Sequence, residues 1–296
     1  MPPALKLVLT ALALLALAYG LLRLFERVAV YHPYRRFDAS PADFRLPFED
    51  VWLTARDGVR VHGWFLPAPT NAPPDQARLA VLVAHGNGGN ISHRFALYGL
   101  LHALGLDVLA FDYRGYGRSE GRPNEEGTYL DAEAAADWLE ARGFPRARIL
   151  ALGESLGGGV VSELARRRPG LGGIVLQSSF TSIPDVGAER YSFLLPRLLA
   201  SIRYDTRARL PELGLPVLIL HGREDTLIGF HHAEANFAAA SGPKWLRETA
   251  GDHNDPPDLD RAGYLAAWPE FLAAVAAAAT PAASASGPPP ASSPAP

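Results

Sequence analysis

The serine of Gly153-Glu154-Ser155-Leu156-Gly157, the aspartate of His221-Gly222-Arg223-Glu224-Asp225 and the histidine of Gly251-Asp252-His253-Asn254 are residues whose types and order could perform covalent chemistry. A serine hydroxyl is a poor nucleophile at neutral pH. It attacks an acyl carbon when an imidazole takes its proton, and that imidazole needs a carboxylate to fix its tautomer and stabilise its charged form. Ser155, Asp225 and His253 supply nucleophile, acid and base in that chain order. Each also has a plainer reading: a simple Gly-x-Ser-x-Gly turn, an Asx-type turn residue and an ordinary loop histidine. Glu224 and Asp252 are rival carboxylates. Asp252 adjoins His253, and successive side chains rarely face each other, so Asp225 is the preferred acid.

These residues need elements that bring distant stretches together. Ile149 to Leu152 is a short apolar run of the kind a buried parallel strand shows, and a helix-like segment follows Ser155. Strand, serine and helix together form a nucleophile elbow: the glycines let strand and helix pack closely, and the helix N-terminus offers free N–H groups to a developing negative charge. Further strands are expected at Leu79 to Ala84, Val108 to Phe111, Gly173 to Leu176, Val217 to Leu220 and Lys244 to Glu248. Helices are expected at Ile91 to Leu104, Glu126 to Ala141, His232 to Ala240 and Tyr264 to Ala277. This alternation argues for a mostly parallel sheet covered on both faces. Phe48 to Leu53 and Val61 to Leu66, joined at Asp57-Gly58, read as an antiparallel hairpin at its start. Both acid and base fall just after strands, where such sheets gather their chemistry.

Composition narrows the classes. The formal net charge of −3 makes nucleic acid a poor partner, and the absence of cysteine excludes disulfides, thiolate nucleophiles and zinc–thiolate sites. No HExxH, GxGxxG or GxxxxGK occurs. His231 and His232 are neighbours, pointing about 100° apart on a helix, which suits a solvated surface better than a metal. No cofactor or metal is expected.

At the start of the chain, Leu7 to Leu22 is sixteen residues without a charge, bracketed by Lys6 and Arg23. That is just under the roughly 17–25 residues of a membrane span, and the flanking cations can snorkel. Residues 1–28 are read as a membrane segment, a single-pass anchor. Arg23, Arg27, Arg35 and Arg36 place the following domain on the cytoplasmic side by the positive-inside rule. The competing reading is a signal peptide cut near Ala18, releasing a secreted or periplasmic protein. Residues 29–278 form the catalytic domain. Residues 279–296, made of Ala, Ser, Pro and Gly, read as a disordered tail, and Asn71 to Gln76 as a loop. Tyr31 to Pro47 reads as an irregular connector whose Tyr31, Tyr34 and Phe37 sit near lipid headgroups. Between Gln177 and Val217 a short apolar helical wall serves as a minimal lid.

The runs HGNGGNISHR (His85–Arg94), FDYRGYGRSEG (Phe111–Gly121), GESLGGG (Gly153–Gly159), SSFTS (Ser178–Ser182), HGREDTLI (His221–Ile228) and GDHND (Gly251–Asp255) resemble the α/β-hydrolase family over Phe48 to Ala277. More narrowly, the chain is similar to membrane-anchored serine hydrolases whose eukaryotic members include protein depalmitoylases and lysophospholipid lipases. The resemblance implies the α/β-hydrolase fold, with Ser155 as nucleophile, Asp225 as acid and His253 as base. It also implies an oxyanion hole from the backbone N–H groups of Leu156 and Asn87, in a loop that departs from the three-glycine version of many lipases. Asp112, Tyr113 and Arg114 are expected to brace that loop, His85 and His221 to shape turns, and Glu154 has no assigned role. The implied substrate is an acyl ester or thioester; a peptidase on the same fold and a non-catalytic scaffold are the alternatives. A chain lacking Met1 to Val28 is expected to keep near-full turnover of a small soluble nitrophenyl ester.

Overall fold

A computed structural model describes residues 1–69 and 78–279; the loop read at Asn71 to Gln76 and the tail beyond Ala279 lie outside the described residues. An eight-stranded sheet carries the molecule. Its strands are β1 (Glu49–Thr54), β2 (Arg60–Leu66), β3 (Ala80–Ala84), β4 (Asp107–Phe111), β5 (Ile149–Glu154), β6 (Gly173–Gln177), β7 (Val217–Gly222) and β8 (Lys244–Thr249). Their spatial order is β8-β7-β6-β5-β3-β4-β2-β1. The β1–β2 hairpin and the β2–β4 pair are antiparallel, and every other pair is parallel. Gly58 turns the hairpin at φ +84°, a left-handed conformation glycine adopts without penalty.

Alternation along each strand fills two cores. In β3, Ala80, Leu82 and Ala84 face one layer of helices while Val81 and Val83 face the other. The first layer includes α3 (Glu125–Ala141), α4 (Leu156–Arg167), α7 (Thr206–Leu213) and α8 (His231–Ala239); the second holds α2 (Phe95–Ala103), α10 (Arg261–Ala266) and α11 (Pro269–Ala279). The lid between β6 and β7 consists of α5 (Ile183–Arg190), a 3-10 turn at Ser192–Leu194 and α6 (Pro196–Leu199), followed by α7. A short helix α9 (Pro256–Leu259) follows the His253 loop.

Two elements differ from the sequence reading. The helix expected at Tyr264 to Ala277 starts earlier and breaks at Trp268-Pro269, where proline has no N–H to give the helix ladder. The helix expected from Ile91 begins instead at Phe95, after a 3-10 turn at Ile91–His93 whose first amides are capped by side chains: Asp112 accepts from Ile91 N–H at 2.9 Å and Asn90 from Ser92 N–H at 2.9 Å.

The first helix, α1 (Pro3–Val30), is 28 residues long, about 42 Å at 1.5 Å per residue. By length and composition, Pro3–Val30 and Arg261–Ala279 could each cross a membrane. The second buries Trp268, Phe271 and Val275 against the sheet, which makes it a core element. The first has a mean hydropathy of 2.2 over a window with no part buried, which fits a membrane anchor or a signal sequence. The connector after it is more ordered than its sequence suggests. Tyr31 is buried, its hydroxyl 3.1 Å from that of Tyr204, and Phe37 packs edge-on to Trp64 at 5.0 Å. Of the three aromatics expected at the headgroups, Tyr34 alone is exposed.

Candidate active site

β5 ends at Glu154 and α4 starts at Leu156, so Ser155 occupies the whole turn between them, at φ 51° and ψ −111°. For a residue with a Cβ this conformation costs on the order of 1–3 kcal/mol, and it persists because the surroundings over-determine it. A Cβ on Gly153 would collide with the Gly157 carbonyl, and one on Gly157 with that of Ala84, so neither position admits a side chain. The Ser155 N–H donates to Gln177 O at 2.8 Å and its carbonyl accepts from Ser179 Oγ at 2.9 Å, which pins the turn from the neighbouring strand end.

The three sequence-distant candidates meet here. His253 Nε2 lies 3.1 Å from Ser155 Oγ, and His253 Nδ1 lies 2.7 Å from Asp225 Oδ2. A carboxylate only accepts, so Nδ1 carries the proton and Nε2 presents its lone pair to the hydroxyl. The other Asp225 oxygen accepts the N–H groups of Leu227 at 2.9 Å and Ile228 at 2.7 Å. Burial pushes the Asp225 carboxyl up, but hydrogen bonds from His221, His253 and Ile228 outweigh it and hold it well below the usual carboxylate range. Asp225 is therefore an anion at neutral pH. The rival Asp252 turns away from the imidazole, accepting Thr226 N–H at 2.7 Å and the His253 N–H at 2.8 Å, and Glu224 is exposed.

The loop after β3 lies against the serine: a Cβ on Gly86 would stand 3.6 Å from Ser155 Cβ. Asn87 is held through its side chain, which donates to Val30 O at 3.0 Å, and through its carbonyl, which accepts His32 N–H at 3.0 Å and Tyr116 OH at 2.8 Å. The segment leaving α1 forms a two-residue parallel bridge with this loop, His32–Pro33 beside Gly88–Gly89. Tyr113 OH donates to His85 O at 2.8 Å, and Arg114 forks onto Asp131 and Asp57. Leu156 is the first residue of α4, so its N–H has no partner within the helix.

Three residues near the serine were not assigned this way from sequence. His221 Nε2 stands 3.3 Å from Asp225 Oδ2 and donates to Ile228 O at 2.8 Å, giving the acid a second imidazole neighbour. Glu154, left without a role, accepts from Arg94 Nε at 2.9 Å, while Arg94 Nη2 donates to Gly88 O at 3.2 Å and so ties the loop to the elbow. The signal was available in the arginine closing HGNGGNISHR and the acid beside the serine. Removing one partner of a mostly buried pair leaves an uncompensated charge. Glu154→Ala should accordingly lower unfolding free energy by about 3–5 kcal/mol, read from urea midpoints.

His231 is exposed, as read, but His232 is buried and the two rings do not diverge. Their ring centres are 4.3 Å apart and both approach Glu189 Oε1, at 2.9 and 3.2 Å. The buried His232 Nδ1 accepts the Thr181 N–H at 3.2 Å, which leaves the ring proton on Nε2, 3.2 Å from Glu189 Oε1 but outside hydrogen-bond geometry.

Two cavities meet at the serine. One, about 440 Å³, is walled mainly by apolar side chains, among them Phe180, Ile183, Val186, Leu194 and Leu199. The other, about 770 Å³, is lined by Asp38, His93, Arg94, Glu154, His253 and Asn254. Ser155, Asn87, His32 and Leu227 line both.

Comparison with known proteins agrees with this architecture. The family described as "Hydrolase_4: Serine aminopeptidase, S33" matches residues 75–207. An uncharacterized protein of Mycobacterium tuberculosis is 39% identical over 249 residues, 83% of this chain and 87% of its own length. The alpha/beta hydrolase domain-containing protein WAV2 of Arabidopsis thaliana is 32% identical over 243 residues, 75% of this chain and 78% of its own. A solved esterase of Pyrococcus furiosus shares the fold with a TM-score of 0.65 at 23% identity, over 82% of this chain and 97% of that one. With the strand order, the elbow and these relatives in agreement, the chain belongs to the α/β-hydrolase superfamily.

Proposed function

We propose that the chain is a serine hydrolase that cleaves acyl esters or thioesters through an acyl-enzyme. The observation that carries this is the unbroken Ser155–His253–Asp225 contact at the junction of an apolar and a polar cavity. An acyl chain fits the apolar side, and a polar alcohol or thiol leaving group the other. Ser155 Oγ bonds to the carbonyl carbon while His253 Nε2 takes its proton, and the carbonyl electron pair moves onto oxygen facing the N–H groups of Asn87 and Leu156. Collapse breaks the ester bond, and the Nε2 proton passes to the departing alkoxide or thiolate. Water then repeats the sequence on the acyl-enzyme and restores the serine.

The peptidase alternative draws on the family description. An aminopeptidase needs an anionic group for the substrate's free ammonium, and Glu154, the carboxylate adjoining Ser155, is already paired with Arg94. A fluorophosphonate probe followed by acyl esters, acyl thioesters and aminoacyl amides tests the choice. Labelling with turnover of esters or thioesters is expected; preferential cleavage of aminoacyl amides would select the peptidase.

The N-terminal helix is proposed to remain as an uncleaved anchor, with the catalytic domain on the cytoplasmic side. The full-length protein is expected to stay with membranes through an alkaline carbonate wash. A mature N-terminus at Tyr19, read by mass spectrometry, would establish signal cleavage instead.

A further inference from the structure

Helix α1 continues past the charge-free stretch as a working part of the site. Sixteen residues from Leu7 to Leu22 cover about 24 Å, close to the hydrocarbon thickness of a bilayer, which puts Arg23 at headgroup level and the last two turns just outside. From the end of the charge-free stretch onward, Leu22, Phe25, Glu26, Ala29 and Val30, spaced i, i+3, i+4, i+7 and i+8, form one helix face, and that face lines the apolar cavity. Glu26 fastens it to the lid. Its buried carboxylate accepts Ser201 N–H and Oγ–H, each at 2.6 Å, and Ile202 N–H at 2.7 Å, with Arg23 paired at 3.0 Å. Arg23 also donates to Leu199 O, and Phe25 meets Tyr191 edge-on at 5.5 Å.

The outer side of the same lid is bare. Phe193 and Leu198 are each 78% exposed and Leu195 is 59% exposed, beside a helix whose Leu21, Leu24 and Val28 are exposed as well. Exposed apolar side chains on the lid and on a membrane-length helix fastened to it have one occupant that covers both, the lipid leaflet.

We propose that the lid seats in the leaflet beside α1, and that the acyl chain of a bilayer-resident ester or thioester slides from the leaflet along the Leu22–Phe25–Ala29 face to Ser155. This rests on the acyl-hydrolase reading and adds the origin of the substrate and its route. It also revises the expectation for a chain lacking residues 1–28: that deletion removes Leu22, Phe25 and the Glu26 clasp, so it alters the cavity together with the location.

The absence of native cysteine allows a test independent of turnover. Full-length Leu198→Cys, labelled with an environment-sensitive nitrobenzoxadiazole dye, is reconstituted in phosphatidylcholine vesicles. A blue shift with quenching by lipids spin-labelled near the headgroup is expected, and a water-like, unquenched spectrum would overturn the leaflet seat. In Phe193→Asp/Leu198→Asp the ratio of vesicle-substrate to nitrophenyl acetate turnover should fall at least about tenfold. The vesicle substrates are a lysophospholipid in one arm and an S-palmitoylated peptide in the other, so the arm that responds identifies the source of the acyl chain; an unchanged ratio in both contradicts the route. In detergent-free vesicles full-length Ala29→Phe should lower turnover of long-chain nitrophenyl esters relative to acetate by about tenfold, the loss expected when about two methylenes no longer fit. A chain-length profile identical to wild type would remove α1 from the pocket wall. A protein inactive on every ester that still shows the spectral shift counts against the acyl-hydrolase reading and the route, and for the leaflet seat.

Discussion

Replacing Ser155 by alanine is expected to abolish ester turnover and fluorophosphonate labelling while the protein stays folded. The loss should approach about a million-fold, the scale seen when a triad nucleophile is removed and only oxyanion stabilisation and substrate binding remain. The fold should survive because Ser155 Oγ hydrogen-bonds to His253 alone among the described residues, whereas the turn is held by backbone groups: Ser155 N–H to Gln177 O and Ser179 Oγ–H to Ser155 O. Steady-state rates with circular dichroism on the same sample check it. A Ser155→Ala protein keeping more than a few per cent of native turnover would move the nucleophile elsewhere.

Asp225→Asn should cost on the order of ten-thousand-fold in kcat, with Asp252→Asn and Glu224→Gln each costing less than about tenfold. An amide at 225 can offer its N–H to His253 Nδ1, forcing the proton onto Nε2, where it faces the serine hydroxyl and cannot accept from it. Asp252 is engaged with Thr226 and the His253 backbone, so its loss loosens a loop and leaves the tautomer alone. The comparison needs only kcat values for three variants, and the reverse ranking would reassign the acid.

How much of this was legible follows from the range of the forces involved. The strands were readable because burial on both faces demands unbroken apolar runs, as in Leu79 to Ala84 and Val217 to Leu220. The elbow was readable because Gly153 and Gly157 leave no space for a Cβ, a local requirement written into five residues. Pairings set by distant packing were not. Nothing beside Glu26 reveals that its carboxylate caps the backbone of Ser201 and Ile202, and nothing beside Glu154 reveals Arg94. Tyr31 and Phe37 misled for a related reason. An aromatic close to a membrane segment satisfies the pattern for an interfacial anchor and for a core residue equally well, and tertiary packing buries Tyr31 and half-buries Phe37. The helix face at Leu22, Phe25, Glu26, Ala29 and Val30 was visible as spacing, but a charge-bracketed apolar run draws attention to Leu7 to Leu22 and away from the turns that follow.

The central claim, an acyl-enzyme on Ser155, is tested most directly by trapping it. The full-length protein is mixed with excess nitrophenyl ester, quenched in acid within the first turnovers and digested for peptide mass mapping. The account predicts a burst of one nitrophenol per active site and the acyl mass on the peptide carrying Ser155. Turnover without a burst, or an acyl group found on a different residue, would contradict it.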